Sequence, residues 1–285
     1  MKKTALATVA VLALAAGHTI AFADDAPAAP AAAASAPDAS PITYNIGVVS
    51  DYRYRGLSQS KMKPALQGGI DYANGPIYVG TWASTISWVK DSMTSYNHAQ
   101  EASTPPGPTV DEKGAPVEWD LYGGTKGDII KDTLSYDVGV LAYVYLGQEF
   151  HKIGLSNPDT GEFYAALTYG VFTGKVSISA TPLFGVPKSK GSQYYDLSAN
   201  FDLGNGFSLT PDVAYQNITG HFFQDAGLPD PSYADFSVTL GKDFGKGLTA
   251  SLQVIGTDAH KEDYQTSNGK FTGRTGVVAG VKYSF

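Results

Sequence analysis

From Ile42 to Phe285 the side chains alternate between apolar and polar with a period of two, and this feature narrows the fold more than any other. Ile42, Tyr44, Ile46, Val48, Tyr52 and Tyr54 alternate with Thr43, Asn45, Gly47, Asp51, Arg53 and Arg55. The pattern recurs over Leu134–Leu146, Tyr195–Leu203, Phe207–Tyr215 and Leu248–Val254. Successive side chains of a strand point to opposite faces, so strict alternation describes strands with one apolar and one polar face. Twelve such segments are predicted: about 42–54, 64–73, 76–86, 117–127, 133–146, 162–172, 175–184, 193–203, 207–217, 233–243, 248–257 and 273–285. The third is ambiguous in parity, because Tyr78, Trp82, Ile86 and Trp88 compete with Ile77, Val79 and Ala83.

The connections take turns between short and long. Asn74-Gly75, Gly127–Asp132, Thr173-Gly174, Gly204-Asn205-Gly206 and Gly245-Lys246-Gly247 are hairpin turn chemistry, where the backbone needs positive φ. Between them lie long connections at 55–63, 87–116, 147–161, 185–192, 218–232 and 258–272. An even number of strands with short turns at one end and long loops at the other describes an all-β chain, a transmembrane antiparallel β-barrel of about 12 strands with short periplasmic turns and long extracellular loops. A soluble β-sandwich or lipocalin-type barrel has the same alternation turned inside out. The polar face contains Asp51, Arg53, Arg55, Asp71, Glu118, Asp120, Asp137, Asp196, Asp212 and Arg274, charges easier to place in a wet lumen than in a dry core.

Composition agrees. Charged residues are 16% of the chain, against roughly 25% in ordinary soluble domains. Glycine (32) and tyrosine (18) are abundant, and mean hydropathy is −0.12. After the N-terminus no apolar run approaches the ~18 residues of a membrane-spanning helix. The absence of cysteine excludes disulfide frameworks, zinc ribbons and thiol nucleophiles.

Residues 1–23 read as a secretory signal: Lys2 and Lys3, an apolar stretch from Ala5 to Ala16, and a small-x-small cleavage site at Ala21-Phe22-Ala23. The following 24–41 segment, rich in alanine and proline, is expected to stay disordered as a periplasmic spacer. The 42–285 barrel completes the domain plan. Without the signal the chain keeps 18 basic and 27 acidic residues, a net charge of −9, so nucleic acid is not an expected partner. At the other terminus Val277, Ala279, Val281, Tyr283 and Phe285 form an alternating apolar strand ending on an aromatic residue. This looks like the signal that outer-membrane proteins present to the barrel assembly machinery by strand addition. Aromatic girdles are expected from Tyr44, Tyr72, Phe201, Phe207, Phe244 and Phe285 at one rim, and from Tyr54, Trp88, Trp119, Tyr195, Tyr215 and Tyr233 at the other. Outer-membrane lipid and lipopolysaccharide are the expected surroundings.

The stretch Ser50-Asp51-Tyr52-Arg53-Tyr54-Arg55-Gly56-Leu57-Ser58-Gln59-Ser60, with Pro64-Ala65-Leu66-Gln67-Gly68-Gly69-Ile70-Asp71-Tyr72 and Tyr78-Val79-Gly80-Thr81-Trp82-Ala83-Ser84, resembles the TorF-family putative porins of proteobacteria. The distinctive part covers about residues 46–88. The resemblance implies an outer-membrane channel of undefined substrate, with no catalytic or binding residues to carry over. The 87–116 insertion is larger than that family leads one to expect.

Three constellations are candidates for function. Asp51, Arg53 and Arg55, at spacing two, would share one face and form a charged strip in the lumen or a salt-bridge network between strands. The inward charges predicted are Asp51, Asp71, Glu118, Asp120, Asp137, Glu162, Asp196, Asp202, Asp212 and Asp235 against Arg53, Arg55, Lys126, Lys175, Arg274 and Lys282, ten against six. Such a surplus predicts mild cation preference if the lumen is open. Loop 87–116 would either fold inward, through Asp91, Glu101, Asp111, Glu112 or Lys113, or stay at the surface.

Enzyme signatures are missing: no G-x-S-x-G, no H-E-x-x-H, no Walker loop. His98, His151, His221 and His260 fall in long loops, and a rim acyl hydrolase would need a Ser–His pair there, for example His151 with Ser156. Asn157–Glu162 reads as a turn rather than a calcium loop. The expectation is a non-enzymatic porin-like channel for passive diffusion of small hydrophilic solutes or ions, without metal or cofactor. The alternative is a non-conducting barrel acting in adhesion or structure through its loops. Neither the solute nor the oligomeric state is specified.

Overall fold

The computed structural model describes residues 40–112, 114–220, 222–225, 227 and 229–285. The signal segment, nearly all of the alanine- and proline-rich spacer, Lys113 and His221 lie outside the described residues. The chain runs β1 (Ile42–Val49), β2 (Arg53–Tyr54), β3 (Leu57–Ser58), β4 (Ala65–Asn74), β5 (Ile77–Thr85), α1 (Trp88–Glu101), β6 (Val117–Ile130), β7 (Leu134–Val144), β8 (Thr160–Tyr169) and β9 (Phe172–Ser179). It continues through β10 (Gln193–Ala199), β11 (Phe201–Gly204), β12 (Phe207–Asn217), β13 (Tyr233–Asp243), β14 (Leu248–Thr257) and β15 (Gly276–Ser284).

All strands but β2 and β3 join one antiparallel sheet, and the sheet closes on itself. β1 pairs with β4 on one side and with β15 on the other, while β12 pairs with β10 and β11. β10 and β11 are two halves of one stave interrupted at Asn200, so the closed barrel has twelve staves. At the seam the terminal residue takes part: the Tyr44 and Phe285 backbones exchange hydrogen bonds of 2.8 and 2.9 Å, and their rings stack at 5.7 Å. Closure leaves no unpaired edge, which a strand in lipid requires.

The alternation faces outward with its apolar side. Ile46, Val48, Leu66, Ile70, Val79, Leu121, Val140, Leu167, Leu197, Val213, Leu240, Leu252 and Val277 are exposed. Glu118, Asp120, Ser177, Thr210, Gln216, Ser237, Thr239 and Ser251 point inward and are buried. A soluble barrel is the reverse of this, so the exterior is the one lipid demands. β5 resolves its parity the same way: Tyr78 and Trp82 are buried, Ile77 and Val79 exposed.

The interior also explains the glycine and tyrosine content. Gly80 stands opposite Tyr122, Gly124 opposite Tyr78, and Gly139 opposite Tyr164. A Cβ on any of these glycines would lie 2.5 Å from its tyrosine's ring or hydroxyl. Each of these three tyrosines therefore lies across a glycine of the next stave, covering backbone that would otherwise be bare.

Three sequence expectations are corrected. The first strand ends at Val49, not at residue 54, because the chain leaves the wall there. The third short turn sits at Gly170-Val171 rather than Thr173-Gly174: Gly170 supplies φ of 60°, and Thr173 is instead paired with Thr168 inside the ladder. Of the proposed girdle residues, Tyr54, Trp88 and Tyr233 are buried inside. Each is held by interior partners: Tyr54 by Tyr143 and Phe184, Trp88 by Tyr145 and Phe150, Tyr233 by Tyr264.

Candidate functional site

The bore runs through the middle of the barrel, and its contents decide what it can do. Nine inward or buried carboxylates (Asp51, Asp71, Glu118, Asp120, Asp137, Glu162, Asp196, Asp212, Asp235) face five cations (Arg53, Arg55, Lys126, Lys175, Lys282). Two residues of the predicted lining lie elsewhere. Asp202 is exposed and caps its own turn at Gly204, and Arg274 is exposed in the last long loop, before β15 begins.

Toward the short turns, the wall is tyrosine and interleaved charge. Tyr122 donates to Asp71, and Tyr78 to Asp137 at 2.5 Å, with Tyr164 hydrogen-bonded to Tyr78. Lys126 pairs across the ladder with Asp137, and Lys175 with Asp196. The opposite wall carries small hydroxyls: Thr210, Ser237, Thr239 and Ser251.

Toward the long loops, the bore is filled by the chain itself. Ser50–Pro64 turns inward, and every residue from Asp51 to Ser60 is buried. β2 and β3 form a hairpin whose two-residue loop is Arg55-Gly56, with φ of 43° and 81°. Positive φ at both positions is the primed turn that matches strand twist. The hairpin was therefore written in the sequence as an x-Gly pair inside an alternating run. The alternation on either side concealed it, because a hairpin in the lumen alternates like a stave.

The hairpin is internally braced. The Asp51 carboxylate accepts from Arg53 Nε at 2.6 Å, Ser58 Oγ at 2.6 Å and Ser60 Oγ at 3.1 Å. Arg53 also donates to the carbonyls of Gly56, Thr272 and Arg274 at 3.0–3.1 Å. Asp51, Arg53 and Arg55 thus do not form one strip on the wall. The first two pair within the hairpin, and Arg55 at its tip reaches across the bore.

There the Arg55 guanidinium donates to both Glu162 oxygens (2.8 and 3.1 Å) and to Gln216 Oε1 (2.6 Å), and lies 4.2 Å from the Tyr194 ring centroid and 4.6 Å from that of Tyr54. Burial alone would lower its affinity for the proton, but Glu162 and the surrounding phenols more than offset this, and the guanidinium stays charged. Glu118, on the wall beside the hairpin, accepts from Tyr52 at 2.5 Å and Tyr145 at 2.6 Å. Burial, with Glu118 and Asp120 close by, holds the Tyr52 phenol well above the usual tyrosine range, so it remains a donor.

The long connection 87–116 is neither a pore-constricting strand nor a plain surface loop. Its first half is α1, whose Trp88, Val89, Ser92, Met93, Tyr96 and Asn97 form one buried stripe. The proline- and glycine-rich second half masked that periodicity in the sequence. Asp91 fixes the helix to its surroundings, accepting from Lys61 and from the Ser267 hydroxyl and its amide (2.8 Å). Glu101, Asp111 and Glu112 lie outside the bore, and Glu112 accepts from Thr94 at 3.0 Å. His98, His151 and His260 are exposed, and Asn157 and Asp159 brace a turn under Tyr145. Among the described residues no group of His, Cys, Asp or Glu could hold a metal ion.

A family model described as a bacterial protein of unknown function, Gcw_chp, matches residues 31–285. The chain belongs to the Gcw_chp family. That match spans the whole barrel, hairpin and loops included. No curated protein shows significant sequence similarity to the chain. Among solved structures it is similar to the KdgM porin and the NanC porin, each at 8% identity and a TM-score of 0.47 over 86% of this chain and 98% of theirs. Pseudomonas aeruginosa OprD is similar at 12% identity and a TM-score of 0.39, over 87% of this chain and 67% of its own.

Proposed function

We propose that the protein sits in the outer membrane of a Gram-negative bacterium, after signal-peptide cleavage near Ala23, and passes small hydrophilic solutes or ions by diffusion with a mild preference for cations. The observation that carries this reading is the charged interior inside an apolar exterior, nine carboxylates against five cations. An interior kept this polar within lipid is a lining for water and solute rather than a core. The short turns and both chain ends of the barrel would face the periplasm and the long loops the exterior. The resemblance of residues 46–88 to the TorF-family putative porins points the same way. The proposed surroundings are lipid and lipopolysaccharide, and β15 is the segment offered to the assembly machinery.

The hairpin across the bore favours a second reading: a barrel that conducts little and acts through its ordered outer loops. Planar-bilayer recording on refolded residues 24–285 under a salt gradient separates the two. The channel reading expects small discrete steps and a reversal potential of cationic sign. A correctly folded barrel, shown by heat-modifiable migration on a gel, that gives no steps would remove it. A reversal potential of anionic sign would remove the cation preference.

A further inference from the structure

Resting on the channel reading, we propose that the wall facing the hairpin is a recognition site for a guanidinium-bearing solute, and that Arg55 is its built-in occupant. The wall at this level presents Glu118, Asp120, Glu162 and Asp235, all buried, and among the described residues contributes no cation of its own there. What it does contribute is the geometry a guanidinium needs. Glu162 offers both oxygens to the Nη2 nitrogen, Gln216 offers its carbonyl to Nη1, and the Tyr194 ring centroid lies 4.2 Å from the guanidinium carbon. A carboxylate on one nitrogen, an amide oxygen on a second and an aromatic face together distinguish a planar guanidinium from a spherical cation.

The manner of filling also argues for recognition rather than closure. An apolar tip would seal the bore without taking a charge pair out of water, which is expensive. Here the tip is instead a charged fork, delivered across the barrel by a two-residue turn whose Gly56 has no room for a side chain: a Cβ would lie 2.1 Å from the Thr257 methyl and 2.8 Å from Asp235 Cβ. Arg55 reaches staves β8, β10 and β12, roughly opposite the β1 from which the hairpin springs. A free solute with the same head group competes for the same contacts. The hairpin then acts as an internal competitor that leaves when the solute arrives.

The test is chemical replacement. Full-length mature protein and its R55A variant are refolded into lipid and compared in millimolar guanidinium and in the same concentration of urea, a neutral molecule of the same shape. Two readouts are taken: single-channel conductance, and the temperature at which the compact form is lost on a gel. The expected result is an R55A conductance at least double that of the parent, reduced by guanidinium and not by urea. Guanidinium should also restore the heat resistance that R55A loses. Indistinguishable effects of guanidinium and urea on both readouts would overturn the proposal. If neither protein conducts, the channel reading falls, and the heat readout alone still decides the site. If R55A folds only with guanidinium present, the proposal is supported. If it folds in neither, R55K, which keeps the charge and loses the fork, takes its place, with the same contrast required between the two additives.

Discussion

At single positions the fold makes sharp demands. Gly56 sits at φ of 81° against β13 and β14, so Gly56→Val combines left-handed strain of about 1–2 kcal/mol with a direct clash. The variant is expected to lose the docked hairpin while keeping the barrel, seen as larger conductance with intact heat-modifiable migration. Glu118 has two phenolic donors, and Tyr145→Phe removes one of them. A hydrogen bond is worth about 0.5–1.5 kcal/mol, so the compact form should melt measurably earlier in a temperature-ramped gel. The control Tyr195→Phe, on the exterior, should leave that temperature unchanged. In both cases the residue's type could be read from the sequence, but its partner could not, since Tyr145 and Glu118 lie on neighbouring staves 27 positions apart.

At the scale of elements, strands were legible and their exceptions were not. Alternation and glycine turns place twelve staves, because the physics that sorts them acts two residues at a time. The same logic assigned Asp51, Arg53 and Arg55 to a stave, since nothing local distinguishes a strand in the wall from one in the bore. Helix α1 was missed because its stripe spans only the first half of a long connection. Its attachment is testable: Asp91→Ala removes the acceptor shared by Lys61 and Ser267, and hydrogen exchange in 86–101 should accelerate while the staves stay protected. The glycine–tyrosine contacts are equally checkable. Gly124→Leu forces a side chain into Tyr78 and should cost at least the ~1–3 kcal/mol of an overpacked site, lowering the refolded yield on a gel.

For the molecule as a whole, the inside-out distribution separates this barrel from a soluble one, a choice that alternation alone leaves open. The C-terminal strand contributes to both wall and seam, with Val277, Ala279, Val281, Tyr283 and Phe285 all outward and Phe285 bonded to Tyr44. Deleting Phe285 removes two backbone hydrogen bonds and a ring stack at closure, and the amount of protein recovered from outer-membrane fractions should fall, with the remainder degraded.

The hairpin is joined to the wall on both sides, by β1 and by β4, and β1 is half of the seam with β15. Both attachments lie at one rim of the barrel, where Val49 and Ala65 face each other across the ladder. The fifteen residues from Ser50 to Pro64 therefore hang into the bore from its rim, like a clapper in a bell, and can swing without opening the seam. Mutations that weaken the contacts of Arg53 and Arg55 should accordingly loosen the finished protein without delaying the joining of its ends.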